Sequence, residues 1–162
     1  MTKAAELFSR GLAAYQARDF DGARDLFSAA LSLSPQNANY LYYRGSVSQE
    51  LGDTDTAIAD FSKALALVPS CAPIRYSRAD LYFSSGKTAE AVADFDEIIQ
   101  HAGTDARYWV SLAYLGRGIA ALDCGNIDGA ISDLTAAEDA AKEEGDAGLI
   151  ARIGSELERN GF

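Results

Sequence analysis

The chain has 162 residues and a formal net charge of −10, because 24 Asp and Glu outnumber 14 Lys and Arg. This balance argues against nucleic acid and anionic membranes as partners, since both are bound through clustered basic side chains. A basic or apolar partner fits the charge better, although the acidic excess also fits a role in preventing self-association.

Apolar residues at helical spacing alternate with short breaker segments along the chain. The pattern predicts helices near residues 3–17, 20–33, 37–51, 54–67, 72–85, 88–101, 105–124, 127–143 and 146–159. The breakers within the helix pairs are Arg18-Asp19, Gly52-Asp53, Gly86-Lys87 and Gly125-Asn126. Glycine tolerates the left-handed backbone that ends a helix, and a following Asp, Thr or Asn can cap the next one. Strand-type alternation is missing, so we expect an all-α fold of paired antiparallel helices.

Small and bulky residues recur with a pitch of about 34 residues. The first two copies contain Leu7, Gly11, Ala23, Phe27, Ala30 and Pro35, and then Leu41, Gly45, Ala57, Phe61, Ala64 and Pro69. A third copy contains Ala79, Ala91 and Phe95, and a fourth contains Tyr114, Gly118, Ala130, Leu134 and Ala137. The third departs from the pattern, with Arg75 at a bulky apolar position and Ile98 at a small one. The whole resembles a tetratricopeptide repeat (TPR) protein.

The resemblance implies a right-handed superhelical solenoid of about nine helices, forming a single domain over residues 1–162. The repeats are expected near 4–37, 38–71, 72–105 and 106–144, with a capping helix at 146–160. Leu149, Ile150, Ile153 and Leu157 share one face of that last helix, which fits a cap over the final repeat. The alternative is a detachable helix that mimics a partner.

The recurring residues are expected to hold the repeats together. Gly11, Gly45, Ala79 and Gly118 would allow close helix contact, Ala23, Ala57, Ala91 and Ala130 would face them, and Phe27, Phe61, Phe95 and Leu134 would fill the space toward the next repeat. Arginines precede each close-contact position. Their constant offset from an aspartate predicts the ion pairs Arg44–Asp60, Arg78–Asp94 and Arg117–Asp133, while Arg10 lacks the equivalent acid. An anion-binding stripe is the alternative.

The fourth repeat begins with about five extra residues, for which we expect Thr104 as the N-cap. Trp109 would then lie on an added turn, either packed over the third repeat or exposed to a partner. The single histidine, His101, and the separated cysteines, Cys71 and Cys124, lack metal-ligand or redox spacing. We therefore expect no metal site, no cofactor, no catalytic residues and no disulfide framework.

Proteins of the resembled family bind a peptide or helix in a concave groove lined by the first helix of each repeat. The matching positions proposed as a peptide-binding groove are Phe8, Leu12, Tyr15, Asn39, Tyr42, Ser46, Gln49, Tyr76, Asp80 and Phe83. Their aromatic rings suit apolar or cationic anchors of a ligand. The alternative is that these rings only fill the groove.

The family's carboxylate clamp uses Lys, Asn, Asn, Lys and Arg. The matching positions here are Phe8, Leu12, Tyr43, Pro73 and Ser77. We therefore do not expect clamp binding of Hsp70 or Hsp90 tails, because an acidic ligand would meet no compensating cation.

The expected function is a non-enzymatic protein-protein interaction module, an adaptor, scaffold or co-chaperone-like protein. The alternative is a structural subunit that self-associates as a homo-oligomer, or docks to a fixed partner, through an apolar edge made by Phe8, Leu12 and Tyr15. A cytoplasmic location is expected, because no signal peptide or long apolar run is visible. A removed export signal would leave no trace.

Overall fold

Nine α-helices make up the regular structure in the part of the chain that the computed structural model describes, residues 2–101, 103 and 106–162. They are α1 Lys3–Gln16, α2 Phe20–Leu33, α3 Ala38–Glu50, α4 Thr54–Leu67, α5 Ala72–Ser84, α6 Thr88–His101, α7 Arg107–Asp123, α8 Ile127–Glu144 and α9 Ala147–Arg159. The all-α prediction is confirmed, and the predicted helix ends agree closely with the observed ones. None of these helices is both long enough and apolar enough to span a bilayer.

The turns inside the helix pairs depend on left-handed backbone. Gly52, Gly86 and Gly125 have φ values of 78°, 74° and 72°, as expected for glycine at the end of a helix. Arg18 takes the equivalent position in the first pair with φ 60°, a conformation that a side chain with a Cβ adopts at some cost.

Side-chain caps fix the start of the helices that follow. The Oδ1 atoms of Asp19, Asp53 and Asn126 accept hydrogen bonds of 3.0, 3.2 and 3.1 Å from backbone amides in the first turns of α2, α4 and α8. These are the caps predicted from the breaker segments. Thr104, the predicted cap of α7, lies outside the described residues, and Ala106 immediately before α7 makes no side-chain capping bond.

The chain divides into two compact units, Met1–Ile74 and Arg75–Phe162. The single domain over residues 1–162 and its repeat boundaries remain predictions. In the first unit the rings of Phe27 and Phe61 occupy the space left by Gly11 and Gly45. A Cβ on Gly11 would lie 2.5 Å from Phe27 Cε1, and one on Gly45 would lie 2.8 Å from Phe61 Cε1. The predicted role of these small residues as close-contact positions is therefore confirmed.

The second unit has a core formed by α7, α8 and α9. Leu112, Leu115 and Leu134 are buried together with Leu149 and Ile153 of α9. The apolar face of the last helix thus covers the end of the fourth repeat, as predicted for a cap. Within this unit the ring of Phe95 lies against Gly116, where a Cβ would be 2.5 Å from Phe95 Cζ. Gly116 was not recognised from the sequence, because it has no counterpart in the periodic pattern.

Candidate functional site

Three of the arginines that precede the close-contact positions form ion pairs inside the fold. Bidentate hydrogen bonds join Arg44 to Asp60 at 2.7 and 2.7 Å, and Arg78 and Arg117 bind Asp94 and Asp133 at 2.8 and 2.7 Å each. The three predicted ion pairs are therefore confirmed. Such paired geometry favours the charged guanidinium, and the hydrogen bonds to Asp60 raise the pKa of Arg44. These carboxylates occupy the face that an anion-binding stripe would have offered.

Arg44 and Arg117 also reach the preceding repeat. Nη1 of Arg44 lies 3.5 Å from Oγ of Ser28, and Arg117 makes a close ion pair with Asp96. Ser28 and Asp96 each follow the bulky ring of their repeat, a recurrence that could have indicated this contact from the sequence. Arg75, which replaces the bulky apolar residue expected in the third repeat, makes a 3.2 Å hydrogen bond to Asp94. The Asp94 carboxylate therefore binds two guanidinium groups.

In the first unit, the predicted groove residue Phe8 is engaged in aromatic packing. Its ring stacks on Tyr40 with a centroid distance of 4.6 Å, meets Tyr43 edge-on at 5.3 Å, and lies 5.5 Å from Phe27. Contacts of this kind join α1 to α2 and α3. Phe8 therefore contributes to the packing between the first two repeats, and only part of its surface faces solvent.

The other predicted residues of this unit present a mixed aromatic and polar surface. Tyr15 packs against Phe20 at 5.7 Å and Tyr42 packs against Phe61 at 5.8 Å, and both tyrosines stay partly accessible. Burial raises the pKa of Tyr15, and the nearby Glu50 carboxylate raises it further. Glu50 is exposed. A tyrosine face beside a carboxylate suits a cationic ligand group.

The remaining polar positions differ in what they can offer. Oγ of Ser46 donates a 3.0 Å hydrogen bond to the carbonyl oxygen of Tyr42, so this hydroxyl is already used within α3. Asn39 is exposed at the start of the helix, while Gln49 and Leu12 are partly buried. Asn39 and Gln49 are therefore the predicted groove amides of this unit that keep accessible surface.

In the second unit, three of the predicted residues come together. Tyr76, Asp80 and Phe83 of α5 line one pocket of about 100 Å³. The other residues that line it are Phe95, Leu115, Gly116, Ile119 and Arg152. Arg152 belongs to α9 and was not recognised from the sequence, because a charged residue on an amphipathic helix gives no sign there that it lines a pocket. We call this cavity the α5–α9 pocket.

Charge and burial oppose each other in the α5–α9 pocket. Burial against the apolar walls raises the pKa of Asp80, and the positive charge of Arg152 acts in the opposite direction. Burial also raises the pKa of the Tyr76 phenol, and the negative charge of Asp80 raises it further. Part of the Asp80 surface nevertheless remains exposed, so its carboxylate can meet a ligand.

Trp109 packs over the third repeat. Its ring lies 5.6 Å from that of Tyr76 and 5.3 Å from that of Tyr108, beside the core of the second unit. Of the two alternatives for Trp109, packing over the third repeat is the one that the structure shows. Among the described residues, no group of three or more His, Cys, Asp or Glu side chains is arranged to hold a metal ion.

The comparisons with known proteins agree on one family. Two sequence models, both described as tetratricopeptide repeat, match residues 8–70 and 49–115. A search of curated protein sequences found no significant match.

Solved structures show the same fold. One is MamA, at 20% identity over 88% of this chain and 81% of that chain, with a TM-score of 0.81. Another is YrrB, described as a TPR protein with an unusual peptide-binding site, at 20% identity over 94% and 75% of the chains and a TM-score of 0.77.

A third is the Yersinia enterocolitica type III secretion chaperone SycD in complex with a peptide of the translocator YopD, at 17% identity over 74% and 92% of the chains and a TM-score of 0.69. The sequence models, the periodic residues, the helix pairs and these structural similarities lead to one conclusion. The chain belongs to the tetratricopeptide repeat family.

Proposed function

We propose that this chain is a non-enzymatic protein-interaction module, an adaptor or scaffold, that binds a peptide or helix segment on the first helices of its repeats. The observation that carries the proposal is the convergence of Tyr76, Asp80 and Phe83 on one open pocket. Their aromatic rings and carboxylate are partly accessible, and this combination is common where proteins bind peptides. YrrB and SycD, which share the fold, are themselves described with a peptide-binding site and a bound peptide.

The ligand we propose carries apolar anchor side chains, and its basic residues contact the first unit. Tyr15, Tyr42 and the exposed Glu50 supply aromatic faces and a negative charge there. An acidic C-terminal tail of the Hsp70 or Hsp90 type fits poorly, because the clamp positions hold side chains such as Phe8 and Leu12 in place of cations. A co-chaperone-like role would therefore need a different kind of client segment.

Self-association through the first repeat receives less support. Phe8 of the proposed apolar edge already packs on Tyr40 and Tyr43, and Leu12 and Tyr15 are partly buried. Light scattering over a range of concentrations tests this alternative, since a constant monomer mass would exclude a homo-oligomer.

The test begins with selection of binding peptides from a random display library, followed by affinity measurement with synthetic copies. Tyr42→Ala combined with Tyr76→Ala should weaken binding at least about tenfold, in line with the loss of two interface aromatics. Tyr82→Ala is the matched control, because Tyr82 also lies on α5 but packs with Arg78 and Lys87. It should bind as the wild type does.

Circular dichroism must show that the double variant is folded. If it is not, Gln49→Arg combined with Asp80→Arg changes the same surfaces at positions outside the buried core. Unchanged peptide binding in a folded variant, or the failure of the library to yield any binder, would contradict the proposed function.

A further inference from the structure

The α5–α9 pocket is built jointly by the third repeat, the fourth repeat and the capping helix. Tyr76, Asp80 and Phe83 come from α5, Leu115 and Ile119 from α7, and Arg152 from α9. The capping helix therefore does more than cover apolar surface, because it supplies the positive charge at this cavity.

The size of the pocket restricts what can enter it. Its volume is about 100 Å³. A cavity of about 150 Å³ holds a benzene ring, and one water occupies about 30 Å³ of liquid. The pocket is smaller than such a cavity, so a single aliphatic side chain suits it better than an indole or phenol ring.

The walls and the charged groups favour different parts of a ligand. Leu115 and Phe95 are buried, and Tyr76, Phe83 and Ile119 are partly buried, so the lining offers apolar contact. Asp80 and Arg152 are both exposed, and neither has an ion-pair partner among the residues that the structure describes. One carboxylate and one guanidinium on opposite elements give this part of the pocket no net charge.

We infer that the α5–α9 pocket is a subsite for one aliphatic side chain of an extended peptide, with Asp80 accepting from a main-chain N–H and Arg152 donating to a main-chain carbonyl of the same residue. A neutral peptide unit has one donor and one acceptor, so it complements both charges. A Lys or Asp side chain would be attracted by one charge and repelled by the other. This inference deepens the proposed function and rests on it.

The experiment uses the full chain and small capped amino acids, observed through the methyl resonances of Leu115 and Ile119 by NMR. N-acetyl-leucine-N′-methylamide, which carries one aliphatic side chain between two peptide groups, should produce saturable shifts at millimolar concentration. The corresponding lysine, aspartate and tryptophan compounds should bind at least about fivefold more weakly, from charge repulsion or from size. Equal shifts with all four compounds, or no saturable shift with the leucine compound, would overturn the inference.

Charge variants separate ligand contact from a structural role. Arg152→Gln leaves Asp80 as the one charged side chain among the described residues that line the pocket, so the lysine compound should gain at least about fivefold relative to the leucine compound. Asp80→Asn should favour the aspartate compound in the same way. Arg159→Gln is the control, because Arg159 is exposed on α9 and pairs with Glu156 away from the pocket. An order of binding that neither pocket variant alters would also overturn the inference.

The two proposals can fail separately. If display-selected peptides bind but the leucine compound leaves the pocket resonances unchanged, the interaction function stands and this subsite is wrong. If no peptide is selected at all, the proposed function is wrong whatever the capped amino acids do.

Discussion

Replacing Arg44 by methionine should destabilise the first unit strongly, because it leaves a buried carboxylate without its partner. The side chain of Asp60 is only 2% exposed and that of Arg44 is 23% exposed, and two hydrogen bonds of 2.7 Å join them. Methionine fills similar space along an unbranched chain but has no donor. Breaking a buried pair from one side costs about 3–5 kcal/mol, so we expect the free energy of unfolding to fall by about this amount.

The same chain contains a matched exposed pair. Arg24 and Asp21 also meet at 2.7 Å, but their side chains are 42% and 74% exposed. Solvent screens such a pair, so Arg24→Met should cost only about 0–1 kcal/mol. Both pairs belong to the first unit, which keeps the comparison within one part of the fold.

Urea unfolding followed by far-UV circular dichroism measures the difference through the midpoint at a constant slope. A further variant combines Arg44→Met with Asp60→Leu, which removes both charges and should recover most of the lost stability. Equal losses for Arg44→Met and Arg24→Met would refute the argument. If the combined variant is as unstable as Arg44→Met alone, the cost arises from packing and not from the unpaired carboxylate.

Four alanine substitutions test other features by the same unfolding assay. Ser48→Ala should stabilise by about 1–2 kcal/mol, because the Ser48 hydroxyl is buried without a hydrogen-bond partner in the described structure; a loss would show that a partner exists. Gly45→Ala should destabilise by about 1–3 kcal/mol, since its Cβ would lie 2.8 Å from the fully buried ring of Phe61, and an unchanged midpoint would mean that the ring can move. Gly52→Ala should cost about 1 kcal/mol through its φ of +78° alone, as no atom crowds that position, so a stabilised variant would contradict the left-handed turn. Gly154→Ala in α9 should instead stabilise by about 0.5–1 kcal/mol, because that helical position is open and alanine is the better helix former; a loss would indicate hidden crowding.

Local patterns in the sequence were enough to predict most of the fold. Breakers such as Gly52-Asp53 carry their own backbone preference and capping oxygen, so the helix ends could be placed without knowledge of neighbouring elements. The Arg44–Asp60 pair could be predicted as well, because its offset recurs in two later repeats. Residues that recur at one pitch report on contacts that recur in space.

The candidate site was predictable only in part. The periodic register assigned Tyr76, Asp80 and Phe83 to one face of α5, and they do line one pocket. The same register assigned Phe8 to the groove, but its ring stacks on Tyr40. The repeat register predicts the helix face on which a residue lies. The direction of an aromatic ring and the residues that it contacts depend on which neighbours fill the space around it.

The sequence by itself determined the helices, their caps, the close-contact glycines and the family, because these follow from short-range periodicity and backbone chemistry. Only the tertiary structure brought Arg152 of the last helix to Asp80 of the fifth, since that meeting depends on how α7, α8 and α9 pack in the second unit. A charged residue on an amphipathic helix looks the same in sequence whether it faces water or a pocket. Long-range packing determines the surroundings of such a residue, and it therefore also determines which charged groups the α5–α9 pocket contains.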